Sequence, residues 1–148
     1  MPKKSPKQKA KEKAWSNMSR AVRYAHAYDG DNCKCVTCPT VKHWKELQAG
    51  HFIPKAQGNS IYFEICNVHP QCYRCNINLG SNGAEYYPYM LRTYGQGMID
   101  RLKEKQQTIV NYKEYDYLAI ADHYKKEFER IEEMRKDGHV GIIDVIGY

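Results

Sequence analysis

Two C-x-x-C pairs, Cys35–Cys38 and Cys72–Cys75, bracket the stretch of this 148-residue chain where side chains capable of chemistry are densest. Thiolates paired at that spacing, from two separate segments, are the donor set of a tetrahedral structural Zn2+. Between the pairs stand Gly50 and His51, then Asn67 and His69, and Asn76 follows the last cysteine directly. None of these is needed to hold zinc. A histidine at a strand end can take a proton from water, and a carboxamide oxygen on a facing helix suits a hard cation such as Mg2+ or Mn2+. A second amide can fix the imidazole tautomer through its other nitrogen. Such a set describes phosphodiester hydrolysis, with the cation stabilising charge on the leaving oxygen. Taken singly, the same residues have plainer uses: His51 as a polar strand residue, His69 as loop structure, Asn67 and Asn76 as turn or capping groups.

The cysteines leave two alternatives open. Cys33 could replace Cys35 through a Cys33-x4-Cys38 spacing, although x2 is the commoner knuckle. A thioredoxin-like redox pair would need a C-x-x-C at a helix start after a strand in a βαβ context, which the sequence does not offer. Cys66 reads as a small buried thiol at a strand end.

The positioning elements follow from periodicity. Residues 1–13 lack an apolar stripe and contain Pro2 and Pro6, so they read as a flexible, disordered arm. Trp15, Met18 and Val22 recur at helical spacing from residue 14 to about 28, and Asp29-Gly30-Asp31-Asn32 ends that helix in a turn. Residues 42–53 read as a strand or hairpin arm ending at Pro54, Gln57-Gly58-Asn59 as a turn, and Ile61–Ile65 as a second strand. Asn67–Pro70 is then a loop, and a short helix over 72–79 closes a strand–strand–helix unit. Helices follow near 85–94 and 98–102, and a long one over 114–136 has Tyr117, Ile120, Tyr124, Phe128, Ile131 and Met134 on one face. The expected architecture is α+β: a zinc-stapled ββα core over 14–137 with flanking helices, and an apolar tail at 138–148.

Composition narrows the function class. Residues 1–13 carry six lysines against Glu12 alone, a net +5 of the chain's +6. That segment is either a solvated tail or a sequence-blind phosphate-binding arm. Lys3, Lys4 and Lys7 in it, with Lys55 and Arg74 beside the central motif, are the candidate nucleic-acid contacts; their plain reading is surface charge. No apolar run approaches the ~18 residues of a membrane span. No glycine loop cradles a phosphate, and no nucleophile motif points to a small-molecule enzyme. A soluble, cytoplasmic protein in a reducing compartment is expected.

Ala49-Gly50-His51-Phe52-Ile53-Pro54, followed by Asn67-x-His69-x-Gln71-Cys72-x-x-Cys75-Asn76, resembles the HNH, or ββα-metal, nuclease motif. More narrowly the arrangement resembles the NinG (Rap) family of phage recombination proteins, over roughly residues 15–135. The resemblance implies a metal-dependent, structure-directed endonuclease acting on branched DNA, working in the host cytoplasm if phage-encoded. His51 falls at the general base, Asn67 at the middle asparagine and Asn76 at a position that binds the catalytic Mg2+ or Mn2+. Many HNH enzymes carry an acidic or histidine metal ligand just before the base, and here that position is Gly50. His69 and Glu64 are candidates to fill the gap, or His51 is itself a ligand. A resolvase would profit from a homodimer facing two strands. The rival readings are a non-catalytic zinc-stapled module that binds nucleic acid, and a protein-interaction module that uses the long helix.

Overall fold

The computed structural model describes residues 2–54 and 59–148. Its first helix, α1 (Pro6–Ala25), begins at a capping box. The Ser5 hydroxyl accepts from the Gln8 amide at 3.1 Å, and the Gln8 side chain accepts from the Ser5 amide at 2.9 Å. Pro6 occupies the first helical position, where its missing N–H costs nothing. The flexible arm expected over 1–13 is therefore corrected: from Pro6 onward it is helix. Ala10 and Ala14 continue the buried stripe of Met18, Ala21, Val22 and Ala25, and the lysines ride on the opposite face.

That stripe packs on α4 (Glu114–Lys136), through Tyr117, Ile120, Ala121, Tyr124 and Ile131. Full burial of side chains of this size contributes about 1.5–3 kcal/mol each. The two helices run parallel. Lys11 lies over the Tyr117 ring, Asn17 Nδ2 donates to the Ala121 carbonyl at 2.9 Å, and Arg135 donates to the Tyr24 and Ala25 carbonyls at the end of α1. These carbonyls lack partners within the helix, so a guanidinium satisfies them and complements the helix dipole.

In the chain between these two helices come two small antiparallel sheets. The first joins β1 (Ala27–Asp29), β2 (Asn32–Lys34) and β3 (Val41–His43) in that order. The second pairs β4 (Gln48–His51) with β5 (Val68–Gln71), setting Gln48 opposite Gln71, Gly50 opposite His69 and His51 opposite Val68. The strand expected at Ile61–Ile65 is not one. Asn59–Ile61 and Ile65–Asn67 are 3-10 turns, and the strand is the expected loop just after them. A π-helical turn, Arg74–Asn78, occupies the place of the short helix. Then α2 (Gly83–Tyr94) and α3 (Gln96–Gln106) pack Tyr86, Met90, Ile99 and Leu102 on Ile53 and Ile61.

The C-terminal segment forms no strand but is docked. The Ile143 amide donates to the Ala25 carbonyl at 2.9 Å, and the Ile143 side chain is buried. The chain is a mixed α+β protein with small sheets, and none of its described helices is long and apolar enough to cross a membrane.

Candidate functional site

The first knuckle sits in the loop between β2 and β3, closed by a Cys35 amide bond to the Thr40 carbonyl at 2.9 Å. The second follows β5 and opens the π turn. A Val36 amide bond to the Pro70 carbonyl, 3.0 Å, draws the two together. The sulfurs of Cys35, Cys38, Cys72 and Cys75 all lie within 4.8 Å of one another. Cys33 is buried in β2 outside that group, so the register uses Cys35. Burial pushes the Cys35 thiol up to about 12. Burial also acts on Cys38, but hydrogen bonding with the side chain and backbone of Thr40 and with the neighbouring Cys72 and Cys35 outweighs it and holds that thiol at about 6. A four-sulfur cage in which one thiolate is favoured and another needs a cation beside it fits structural zinc.

A cleft of about 800 Å3 opens next to this centre, walled by Trp15, Arg23, Gln48, His51, Asn76 and Ser81, among others. His51 ends β4. Its Nε2 lies 2.9 Å from the Tyr62 carbonyl, and its ring stacks on Trp15 with centroids 4.7 Å apart and planes at 17°. A nitrogen facing a carbonyl carries the proton, so the accepting lone pair of the ring is on Nδ1. The structure thus brings His51 and Asn76 to one cleft. Trp15, expected only as part of a helical core stripe, is the platform for the histidine.

Asn67 acts on His51 differently from the expectation. It does not touch the imidazole. Fully buried, it accepts from the Ile53 amide at 2.8 Å and donates to the Ile53 and Ile61 carbonyls at 3.1 and 3.3 Å. Its own carbonyl accepts from the Phe52 amide at 2.9 Å. Asn67 therefore fixes the backbone just after His51 against the turn that leads to Tyr62.

His69 is not brought to the cleft. It faces the other side of the sheet, where Nδ1 pairs with the Tyr86 hydroxyl at 2.8 Å and Nε2 with the Tyr94 hydroxyl at 2.7 Å. With both ring nitrogens engaged, it is not placed to ligate a cation beside Asn76. Glu64 also lies elsewhere, paired with Lys105. Burial, with His26 as a neighbour, holds His69 well below the usual histidine value of 6.5, and burial lowers His26 as well. These histidines stay neutral in the fold while the unfolded chain takes up protons below that value. Their stability contribution is full above pH 6.5 and is lost as pH falls towards the folded values. The unfolding free energy from urea titrations should therefore drop on mild acidification, by up to about 1.4 kcal/mol per pH unit for each histidine, and His69→Gln should flatten that slope.

Among the candidate phosphate contacts, Lys3, Lys4 and Lys7 are exposed, and Lys4 pairs with Glu12 at 2.7 Å. Arg74 is exposed on the π turn, and Lys55 lies outside the described residues. Lys11 was not singled out by the sequence, yet its ammonium stands 4.6 Å from the centre of the Tyr62 ring, beside His51.

Fold and site together define a small α+β protein built round four clustered cysteines that suit structural zinc, with a cleft of mixed character alongside. The chain belongs to the NinG family: the family described as Bacteriophage Lambda NinG protein matches residues 2–135. It is also similar to the "Protein ninG" of Escherichia phage 933W and to that of Enterobacteria phage VT2-Sa, with 23% identity over 103 residues in each case. The match covers 70% of this chain and 50% of each relative, so the chain spans about half the length of the curated relatives it matches. No solved structure matches it.

Proposed function

We propose that this protein is a metal-dependent endonuclease that cuts branched DNA recombination intermediates, with His51 as the general base. The observation that carries the reading is the held imidazole. His51 is fixed by the Tyr62 carbonyl on Nε2 and by the face of Trp15, at the wall of the cleft it shares with Asn76. With the proton on Nε2, Nδ1 is the basic nitrogen of the ring, the one that would take the proton from a water attacking phosphorus. The order β4, β5, π turn, with the histidine on the first strand and Asn76 on the turn, supports an HNH-like ββα core. A Mg2+ or Mn2+ ion at Asn76 would stabilise charge on the leaving oxygen. The zinc centre would hold the turn bearing Asn76 to the β2–β3 loop, which the Val36 amide ties to Pro70 of the sheet bearing His51. DNA would run along the lysine face of α1 towards Trp15, at first through phosphate contacts. A homodimer would present a second cleft to the second strand of a junction.

A labelled four-way junction, a flap and a plain duplex, each with Mg2+, Mn2+ or chelator, test this. Divalent-dependent cuts are expected, slowed about 10^2- to 10^4-fold by His51→Ala with zinc content and fold unchanged. Binding without cutting under either metal would overturn the nuclease. It would favour a non-catalytic zinc-stapled nucleic-acid-binding module, the reading to which the missing ligand at Gly50 lends weight.

A further inference from the structure

Gln71 is fully buried, yet its Oε1 has no hydrogen-bond partner among the described residues. Its orientation is fixed by the other end of the amide, since Nε2 donates to Thr37 Oγ1 at 3.0 Å and to the Ser81 carbonyl at 2.8 Å. A carbonyl accepts only from a donor, so the nitrogen must face Ser81. The turn that presents this carbonyl is strained. Gly80, Ser81 and Asn82 are consecutive left-handed residues with φ of 55°, 73° and 51°. That conformation costs roughly 1–2 kcal/mol at each of the two residues that carry a Cβ.

Oε1 is left facing Gly50. A Cβ on residue 50 would stand 1.8 Å from Gln71 Oε1 and 2.9 Å from Asn76 Oδ1. Only glycine leaves the room that Gln71 occupies. Asn76 is oriented in the same way, its Nδ2 donating to Gln48 Oε1 at 2.8 Å. Two carboxamide oxygens thus converge on one spot beside the cleft while both their nitrogens are committed elsewhere. A buried amide oxygen with no partner costs about 1–3 kcal/mol, and a hard cation removes that cost.

We propose that Gln71 Oε1 is a ligand of the divalent cation together with Asn76 Oδ1, and that it replaces the ligand which position 50 does not supply. Gly50 is then no gap in the site, because the ligand reaches the same place from the neighbouring strand. The use made of the ion rests on the nuclease reading, whereas the binding of the ion does not. Two neutral oxygens leave most of the coordination sphere to water and to a phosphate oxygen of the nucleic acid, so the class of ion is Mg2+ or Mn2+.

The test is Mn2+ titration of the zinc-loaded, 15N-labelled full chain, read as paramagnetic broadening of the side-chain amide signals. The Gln71 and Asn76 amides should broaden first, with one shared midpoint. Gln71→Met should raise the Asn76 midpoint by about tenfold or more. In the double substitution Gly50→Asp/Gln71→Ala, the shortened side chain makes room for a carboxylate at position 50, and the midpoint should return to the wild-type range or below. A merely structural Gln71 would not be rescued in this way, and the double substitution decides the matter should Gln71→Met fail to fold. An Asn76 signal that Mn2+ leaves sharp in wild type overturns the proposal, as does a midpoint unmoved by Gln71→Met. Cleavage assayed in parallel separates the two readings. Binding as expected with no cleavage sinks the nuclease and keeps the metal site. Cleavage with an unmoved midpoint keeps the nuclease and sinks Gln71 as ligand.

Discussion

Stripping the metal from the four-cysteine centre, or replacing Cys72 by serine, should unfold the middle of the protein. The hydrophobic cluster there consists of Ala27, Cys33, Cys35, Trp44, Leu47, Cys72 and Cys75. Three of those seven are the proposed ligands, so this small core is built largely from the site itself. Without an ion, the sulfurs keep only weak contacts, such as the 3.6 Å approach of Cys38 to Cys72. Structural zinc contributes about 10–16 kcal/mol in zinc-finger peptides, comparable to the whole stability of an ordinary domain, roughly 5–15 kcal/mol. The α1–α4 core contains none of the four ligands, so helical content should survive in part. One zinc per chain, released by chelator together with a collapse of the thermal midpoint, is the expected result. Cys33→Ser should keep stoichiometric zinc and Cys72→Ser should not. An apo-protein as heat-resistant as the zinc form would sink the assignment.

Asn67→Ala should cost roughly 3–5 kcal/mol, far more than its small volume suggests. The substitution deletes three buried hydrogen bonds at once. It strands the Ile53 amide and carbonyl, which have no other partner among the described residues, and leaves the Ile61 carbonyl with only the Glu64 amide at 3.2 Å. Each orphaned group carries its own desolvation penalty of about 1–3 kcal/mol. The urea midpoint should fall while zinc content stays at one per chain, because none of Asn67's bonds reaches either knuckle. Cleavage should fall beyond what lost stability explains, since the freed backbone is the one that directly follows His51. A loss under about 1 kcal/mol would mean that the backbone finds other partners and that the residue is not the brace described.

The cysteine centre was legible because ligand spacing is a local property: a C-x-x-C must fold into a knuckle to chelate. The long helix was legible because its stripe is made of large residues. The first helix was half hidden. Ala10 and Ala14 carry the stripe, but alanine gives little signal beside six lysines, and Pro6 reads as a breaker until Ser5 and Gln8 are recognised as a capping box. The misplaced strand has the opposite cause. Ile61, Tyr62 and Phe63 are β-prone because they are apolar, and here they are buried from a turn. Val68–Gln71 carries Pro70, which counts against a central strand. In a two-stranded ladder every strand is an edge, so the missing N–H is tolerated. That His51 and Asn76 come to one cleft was readable from their motif. The engagement of His69 with two tyrosine hydroxyls and the unsatisfied oxygen of Gln71 were not. Both depend on residues at sequence distances that no local pattern fixes.

The parallel packing of α1 on α4 bears on the order in which the molecule can be made. Trp15, the platform under His51, sits on a helix whose apolar face is covered by residues synthesised about a hundred positions later. On a ribosome the zinc knuckles can close once Cys75 has emerged, while α1 still lacks its mate. His51 acquires its second wall only when 114–136 arrive. Such contacts, distant in sequence, form late and slowly. A nascent chain would thus be able to carry metal before it carries a set imidazole, so the wall of the cleft is completed after the cysteine centre.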